Sequence, residues 1–474
     1  MINRYFIEKL EENFPFSLTN DQESSITKIV DYIFNPKSEE IFLLNGYAGT
    51  GKSSLIGALV KTMTENQQKT VLLAPTGRAA KVFSMYSGEP AFTIHKKIYR
   101  QKSMTDLGAS FSLTNNLHHN TLFIVDEASM ISNDSSDSSF FGTGRLLDDL
   151  IEYVYSGVNC KLLLLGDSAQ LPPVKQDISP ALNAHELQLY GLDVVESTLT
   201  EVMRQSEESG ILYNATLLRN ALSNGFTRKY PQLKLDNFTD IVRISGNDLI
   251  EEISGCYSRD GFEETVVISR SNKNVNIYNN GIRNSVLYRE SELSNGDLLM
   301  ITKNNYHWLK EEDKVDFIAN GEFVEVLRIR SQEELYGLRF CDVILHHKNY
   351  DIEFEAKINL DALHTEKSGT SYEQSNMLYA SLTEEYSHVG SKRERYKQIK
   401  NNPYFNALQV KYGYAVTCHK AQGGEWKNVF IDLGYINPDH LGDNFYRWLY
   451  TSITRSTQML YLVNLSDDFI ATSN

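Results

Sequence analysis

The apolar residues of this chain fall into short unbroken runs, each closed by a polar or glycine-bearing turn. Residues 41–44, 71–74, 122–125, 162–165 and 459–463 have this form; residues 265–269 are rich in β-branched side chains, and 429–433 are apolar but for Asp432. Runs of four to five apolar residues between turn signals predict strands buried on both faces. Most are followed by helical spacing. Ahead of the first run, Thr19 is placed to N-cap a helix from Asn20 to about Phe34, with Ile26, Ile29, Val30 and Ile33 on one face. Strand and helix in alternation predict an α/β fold with parallel sheets, and a second such pattern starts near residue 197. Two stretches break the rhythm. Residues 99–120 are polar, with a Leu107-Gly108 turn and alternation at 110–113, which predicts a small hairpin inserted in the first α/β unit. Residues 327–360 alternate as strands do, and 364–402 are polar, with Lys392, Arg393, Arg395, Lys397 and Lys400 on a solvated helix. The expected organisation is a first unit at 1–98 and 121–195 carrying the hairpin at 99–120. A second unit at 196–315 and 406–474 carries a β-rich accessory insert at 316–405.

Composition adjusts this picture little. A chain of 474 residues with 41% hydrophobic and 23% charged residues has ample core for several domains and is not disordered. No apolar run approaches the about 18 residues of a membrane helix. The first dozen residues are charged throughout and are not expected to be a signal peptide. Cys160, Cys256, Cys341 and Cys418 form no C-x-x-C pair, so reduced thiols, no zinc site and a cytoplasmic location are expected. The net charge of −15 argues against a basic coat for nucleic acid. It leaves room for an enzyme that grips one strand in a local groove.

The candidate chemistry lies where the runs end. Run 41–44 leads into Gly46-Tyr47-Ala48-Gly49-Thr50-Gly51-Lys52-Ser53-Ser54, a G-x-x-x-x-G-K-S loop between strand and helix. Its glycines let backbone N–H groups turn onto a phosphate, and the helix N-terminus adds partial positive charge. Lys52 suits the β and γ phosphates of ATP, and the Ser53 hydroxyl suits Mg²⁺. Run 122–125 ends in Asp126-Glu127, where one carboxylate suits the metal and the other an attacking water; an acidic helix cap is the plainer alternative. Gly166-Asp167-Ser168-Ala169-Gln170 follows run 162–165, with Gln170 placed to sense a γ-phosphate or its water. Arg204 stands in a partly apolar context and needs an anion partner, either a carboxylate or a phosphate. Gln22 reads as a surface residue of a first helical turn or as an amide for the adenine edge. Pro75-Thr76-Gly77 and Thr93-Ile94-His95 read by themselves as a turn and a packed histidine.

The order of these segments is more specific than any one of them. Leu18-Thr19-x-x-Gln22, the phosphate loop, Ala74-Pro75-Thr76-Gly77-Arg78-Ala79-Ala80, Thr93-Ile94-His95 and Val125-Asp126-Glu127-Ala128-Ser129-Met130 come first. Gly166-Asp167-x-x-Gln170-Leu171-Pro172-Pro173-Val174, Leu199-x-x-x-x-Arg204, Thr417-x-His419-Lys420-Ala421-Gln422-Gly423-x-Glu425 and Thr451-Ser452-Ile453-Thr454-Arg455 follow. Over about residues 18–465 this series resembles the superfamily 1B DNA helicases, RecD-like and phage Dda-like. The resemblance implies two RecA-like P-loop domains with ATP between them. It implies Gln22 at the adenine and Glu425 at the ribose. Gly46, Ala48, Gly49, Thr50, Gly51, Lys52, Ser53 and Ser54 would surround the phosphates, and Ser53 and Asp126 would hold Mg²⁺. Glu127 would serve the water, with Gln170, Arg204 and Arg455 around the γ-phosphate. Pro75, Thr76, Thr93, His95, Thr417, His419 and Lys420 would line the DNA path. The hairpin would act as a pin, with Phe111 against the last base pair or packed onto the first domain. The implied activity is ATP-dependent 5′-to-3′ movement on single-stranded DNA and unwinding at single-strand–duplex junctions, by a monomer with no membrane partner. A DNA-stimulated ATPase that remodels protein–DNA complexes without processive unwinding is the rival. An inactive binding subunit fits poorly with the complete set of site residues.

Overall fold

Strands that are apolar on both faces need helices over both faces, and the first 200 residues are built that way. The computed structural model describes residues 2–101, 111–134, 142–201, 208–225, 230–309, 317–347, 350–366, 369, 371–434, 436 and 441–471. Six parallel strands form the first sheet in the order Ala91–Thr93, Lys69–Ala74, Thr121–Val125, Lys161–Gly166, Glu40–Gly46 and Asp193–Leu199. Successive side chains of a strand point to opposite faces. Phe42 and Leu44 therefore meet Phe6, Leu10, Ile26, Ile29, Leu55 and Leu59 of the helices Ile2–Asn13, Asn20–Phe34 and Lys52–Glu65. Ile41 and Leu43 meet Leu147, Leu150 and Val154 of the helix Leu146–Tyr155 on the other face. The helix Asn20–Phe34 starts where its cap signal placed it, with Thr19 and Gln22 forming a reciprocal capping box.

The second sheet has five parallel strands in the order Ala415–Thr417, Thr265–Ser269, Trp426–Asp432, Ser456–Val463 and Ile241–Ile244. Between Thr265–Ser269 and Ala415–Thr417 the chain leaves this sheet to close a five-stranded barrel of Leu298–Ile301, Phe323–Leu335, Leu338–His347, Ile352–Asn359 and Leu408–Tyr412. The expected accessory range 316–405 is therefore too narrow. Leu299 lies opposite Val324 on one side and Tyr412 on the other, so the barrel closes only through staves that lie outside that range. The boundary at 195/196 also moves. It would cut the strand Asp193–Leu199, which pairs along its whole length with Glu40–Gly46 and belongs to the first sheet.

One apolar core runs without a break from the second sheet (Ile268, Val416, Val429) into the barrel (Leu299, Val324, Val343, Ile358). Outside the barrel, Leu378, Leu382 and Ile399 of the helices Tyr372–Glu385 and Lys392–Asn401 pack on Leu338 and Phe340. Ile399 is the one buried residue of the basic helix Lys392–Asn401. Lys392, Arg393 and Lys397 are exposed as expected, whereas Arg395 donates to the Ser387 and Val389 carbonyls and Lys400 lies over the Tyr396 and Phe405 rings, so these two depart from a solvated face. The hairpin pairs Tyr99–Gln101 with Phe111–Leu113; its expected residues 102–110 lie outside the described residues, as do 135–141 of the Ser/Asp/Gly-rich loop. The four cysteines are buried and unpaired. No helix among the described residues is long and apolar enough to cross a membrane.

Candidate active site

Parallel strands bring their C-terminal ends to one edge of a sheet, and loops at that edge are where open α/β folds take ligands. Three neighbouring strands of the first sheet end there in Gly46, Val125 and Gly166, so the phosphate loop, Asp126-Glu127 and Asp167–Gln170 converge. Gly49 and Gly51 turn the phosphate loop at φ 75° and 80°, a conformation that favours glycine. Lys52 opens the helix Lys52–Glu65, and its ammonium donates to the carbonyls of Gly46 and of Tyr47, the latter at 3.1 Å. Ser53 is exposed beside it.

Gln22 is not the surface residue that one of its two expectations made it. It is fully buried; its amide oxygen accepts from the Thr19 N–H at 3.0 Å, and its amide nitrogen donates to the Thr50 carbonyl at 2.9 Å. The side chain braces the phosphate loop against the first turn of Asn20–Phe34.

Asp126 accepts the Glu127 N–H at 2.8 Å on one oxygen and the Tyr86 hydroxyl at 2.6 Å on the other. Glu127 adopts φ 54°, sparsely populated for a residue with a side chain and often found at functional sites. Burial pushes its carboxyl up to about 7; Arg455 opposes the shift and Asp126 adds to it. A carboxyl poised near neutrality suits proton exchange with a water. Arg455 reaches it from the second unit, just past the helix Asp443–Ile453, with a guanidinium nitrogen 3.8 Å from a Glu127 oxygen. Arg455 is only 4% exposed, and its three nitrogens donate to the Thr451 carbonyl, the Gly424 carbonyl and the Thr454 hydroxyl. Gln170 is buried with its amide oxygen unpartnered. Such an atom costs roughly 1–3 kcal/mol, so it marks a place that a water or ligand would complete. Arg204 lies outside the described residues.

These groups fit ATP and Mg²⁺. Among the described residues Lys52 donates to carbonyls that phosphate oxygens can replace, and Gln170 has an acceptor without a partner. Among the described residues no three His, Cys, Asp or Glu side chains converge to cage a metal. That suits Mg²⁺, which takes one or two carboxylates together with phosphate oxygens and water.

The expected DNA residues collect at the matching edges of the two sheets. Ala74 pairs with Thr93, which sets Pro75-Thr76 beside Thr93–His95; Ser269 pairs with Thr417, which sets Thr417–Lys420 at the edge of the second sheet. The two edges meet at Gly423, with φ 70°, where a Cβ would stand 2.8 Å from that of Ala79 and 3.3 Å from the Thr76 hydroxyl. The Thr76 and Thr93 hydroxyls each accept a backbone N–H, from Ala79 and Lys96, at 3.2 Å, and so act as helix caps here. Burial lowers the pKa of His95 to about 4, which leaves it neutral at pH 7. Burial also lowers the pKa of His419 and of Lys420, whose ammonium donates to Asn320 of the accessory insert at 2.6 Å. Glu425 is exposed, and its backbone carbonyl accepts from Arg78. Phe111 is neither a bare tip nor packed on the first unit alone. Its ring lies 4.6 Å from that of Tyr306, which in turn lies 5.0 Å from Phe317. The accessory insert reaches the first unit again at Glu322, whose carboxylate leaves no room for a Cβ at Gly77.

Two cationic residues of the cleft were not expected. Arg78 lies 3.7 Å over the Trp426 ring and 5.5 Å from that of Phe323, so it joins the first unit, the second unit and the barrel. Arg219, on the helix Gly210–Asn224, lies 4.5 Å over the ring of Tyr47 in the phosphate loop. Arg78 stood in the ordered motif after Thr76-Gly77 but with no role assigned to it, and Arg219 had no sequence signal.

Residues 18–229 match a family model described as an AAA domain, and residues 412–463 match a UvrD-like helicase C-terminal domain. The chain is 24% identical to the ATP-dependent DNA helicase dda of Enterobacteria phage T4, over 94% of this chain and 99% of that protein. It is 22% identical to the RecBCD enzyme subunit RecD of Buchnera aphidicola subsp. Schizaphis graminum, over 98% of this chain and 79% of that protein. A solved structure of Pif1 helicase from Bacteroides in complex with ADP-AlF3 and ssDNA gives a TM-score of 0.47 at 14% identity, covering 97% of this chain and 95% of that one.

Proposed function

We propose that the chain, an ATP-hydrolysing DNA helicase of superfamily 1B, RecD-like and Dda-like, moves 5′-to-3′ along single-stranded DNA as a monomer and unwinds the duplex it meets. The observation that carries this reading is the approach of Arg455, from the second unit, to within 3.8 Å of Glu127, in the first. Closure of the cleft and completion of the site are then one event.

Lys52 exchanges the Gly46 and Tyr47 carbonyls for β and γ phosphate oxygens. Ser53 and Asp126 would hold Mg²⁺, which would offset charge on the phosphates. Glu127 polarises the attacking water and Gln170 orients it with its free amide oxygen. Arg455, assisted by Arg204, stabilises the charge of the transferring group, and Glu425 contacts the ribose. Loss of the γ-phosphate releases Arg455 and lets the cleft relax. Pro75, Thr76, Thr93 and His95 on one edge and Thr417, His419 and Lys420 on the other hold the strand in turn. Such a grip rests on phosphate contacts and stacking, so it is sequence-tolerant and weakens with salt.

The test uses duplexes with a single-stranded 5′ or 3′ tail. ATP-dependent strand separation is expected for the 5′-tailed duplex alone, and ATP turnover is expected to be low until single-stranded DNA is added. Turnover indifferent to DNA, or unwinding from 3′ tails only, would overturn the reading.

Phe111→Ala gives a separate expectation. The ring ties the hairpin to Tyr306, and an aromatic pair contributes about 0.5–1.5 kcal/mol beyond burial. Unwinding should slow by about 2- to 10-fold, with DNA-stimulated ATPase retained, and Tyr306→Ala should behave alike. Equal losses of melting temperature, ATPase and unwinding would assign Phe111 to packing alone.

A further inference from the structure

The helix that leads to Arg455 is fastened to the first unit five residues earlier, at Tyr450, a residue outside every motif role considered so far. Its hydroxyl donates to Asp167 at 2.5 Å and accepts the Ala48 N–H at 2.9 Å. The side chain is 1% exposed. Asp167 is itself fixed, because its other carboxylate oxygen accepts the Ala169 N–H at 2.9 Å. One phenol from the second unit thus bridges two loops of the first, the phosphate loop and the loop that presents Gln170.

The neighbouring contacts have the same direction. The Thr451 hydroxyl accepts the Leu171 N–H at 2.9 Å, the Gln422 amide donates to the Leu171 carbonyl at 2.8 Å, and Arg447 donates to the Ser168 carbonyl. Ala169 and Leu171 sit in the apolar core of the second unit rather than that of their own. Among the described residues, the hydrogen bonds that Thr451, Gln422 and Arg447 make to the first unit go to the Gln170 loop, and that of Tyr450 goes to the phosphate loop as well.

We propose that Tyr450 is a positioning residue for ATP hydrolysis, which ties the shape of the phosphate loop at Ala48 to the register in which Arg455 meets Glu127. A phenol suits this post because one oxygen must give a proton to a carboxylate and take one from an amide at the same time. Burial and the Asp167 charge hold the phenol well above its ordinary pKa, so it remains a donor across the working pH range. A phosphate loop that shifts on taking up nucleotide moves the Ala48 N–H, and the helix that leads to Arg455 must follow or lose the bond. The inference rests on the cleft being the ATPase site.

Tyr450→Phe keeps the ring and removes both bonds. With single-stranded DNA present, kcat for ATP is expected to fall about 10- to 100-fold, the loss typical of a small misplacement of reacting groups, while KM for ATP stays within about twofold. In an Arg455→Ala background the same substitution should cause no further loss, because Tyr450 acts through Arg455. An unchanged kcat, or an equal loss in both backgrounds, overturns the proposal. Should the phenylalanine variant not fold, 3-fluorotyrosine at position 450 of the otherwise native chain gives a second measurement. Its ¹⁹F resonance is expected to move on saturation with ADP, and an unmoved resonance overturns the coupling. Absence of ATP hydrolysis by the unmodified chain would instead count against the proposed function.

Discussion

Arg455→Ala is expected to slow ATP hydrolysis by about 10³- to 10⁵-fold while changing ATP affinity by only a few fold, the range found where an arginine stabilises charge in phosphoryl transfer. The guanidinium is already in place: Nε, Nη1 and Nη2 are each held by a different oxygen of the second unit, and the group faces Glu127 at 3.8 Å. A charge fixed before the reaction needs no reorganisation as the transition state forms. Arg455→Lys should not restore the rate, because a single ammonium cannot keep three oxygens and meet a phosphate as well. Phosphate release gives the rate and a fluorescent ATP analogue the affinity. Recovery to near-native turnover with lysine would remove the role assigned to the planar fork.

The second large effect is a contrast between two substitutions. Lys52→Ala should lose both tight ATP binding and hydrolysis, because Lys52 meets the phosphates in the ground state as well as the transition state. Glu127→Gln should bind ATP normally but turn it over about 10²- to 10⁴-fold more slowly, the usual worth of a positioned base. Melting temperature separates this from damage to the fold. The native carboxyl is pushed up to about 7 by burial, so its charged form opposes folding at pH 7. The neutral amide removes that opposition, and Glu127→Gln should melt no lower than the native chain. Normal turnover by Glu127→Gln would mean that another group serves the water.

What could be read along the chain was local. Thr19 and Gln22 stand three residues apart, so the start of their helix was legible, but the Thr50 carbonyl that takes the Gln22 amide is in another loop. The phosphate loop declares itself because glycines, lysine and serine follow one strand. Arg455 has no such local chemistry; the order of motifs pointed to it, and the fold brings it to Glu127. Residues 298–301 are apolar throughout and look like one more buried strand, for periodicity distinguishes strand from helix and not one sheet from another. Closure of the barrel decides their place. The partners of Phe111 and Arg78 lie on the barrel and the second sheet, contacts made by folding between distant segments that no spacing records.

The second sheet and the barrel share one apolar core, while most of the first sheet's apolar residues are gathered in cores of their own. A close-packed interior transmits displacement rather than absorbing it. A force applied to the barrel therefore meets one continuous apolar core before the helix Asp443–Ile453 and Arg455 beyond it. If nucleotide draws Arg455 toward Glu127 as proposed, the barrel and the arginine are the two ends of one lever. Linkage is reciprocal: a load that opens the lever must weaken the hold on nucleotide by as much as bound nucleotide stiffens the molecule against that load.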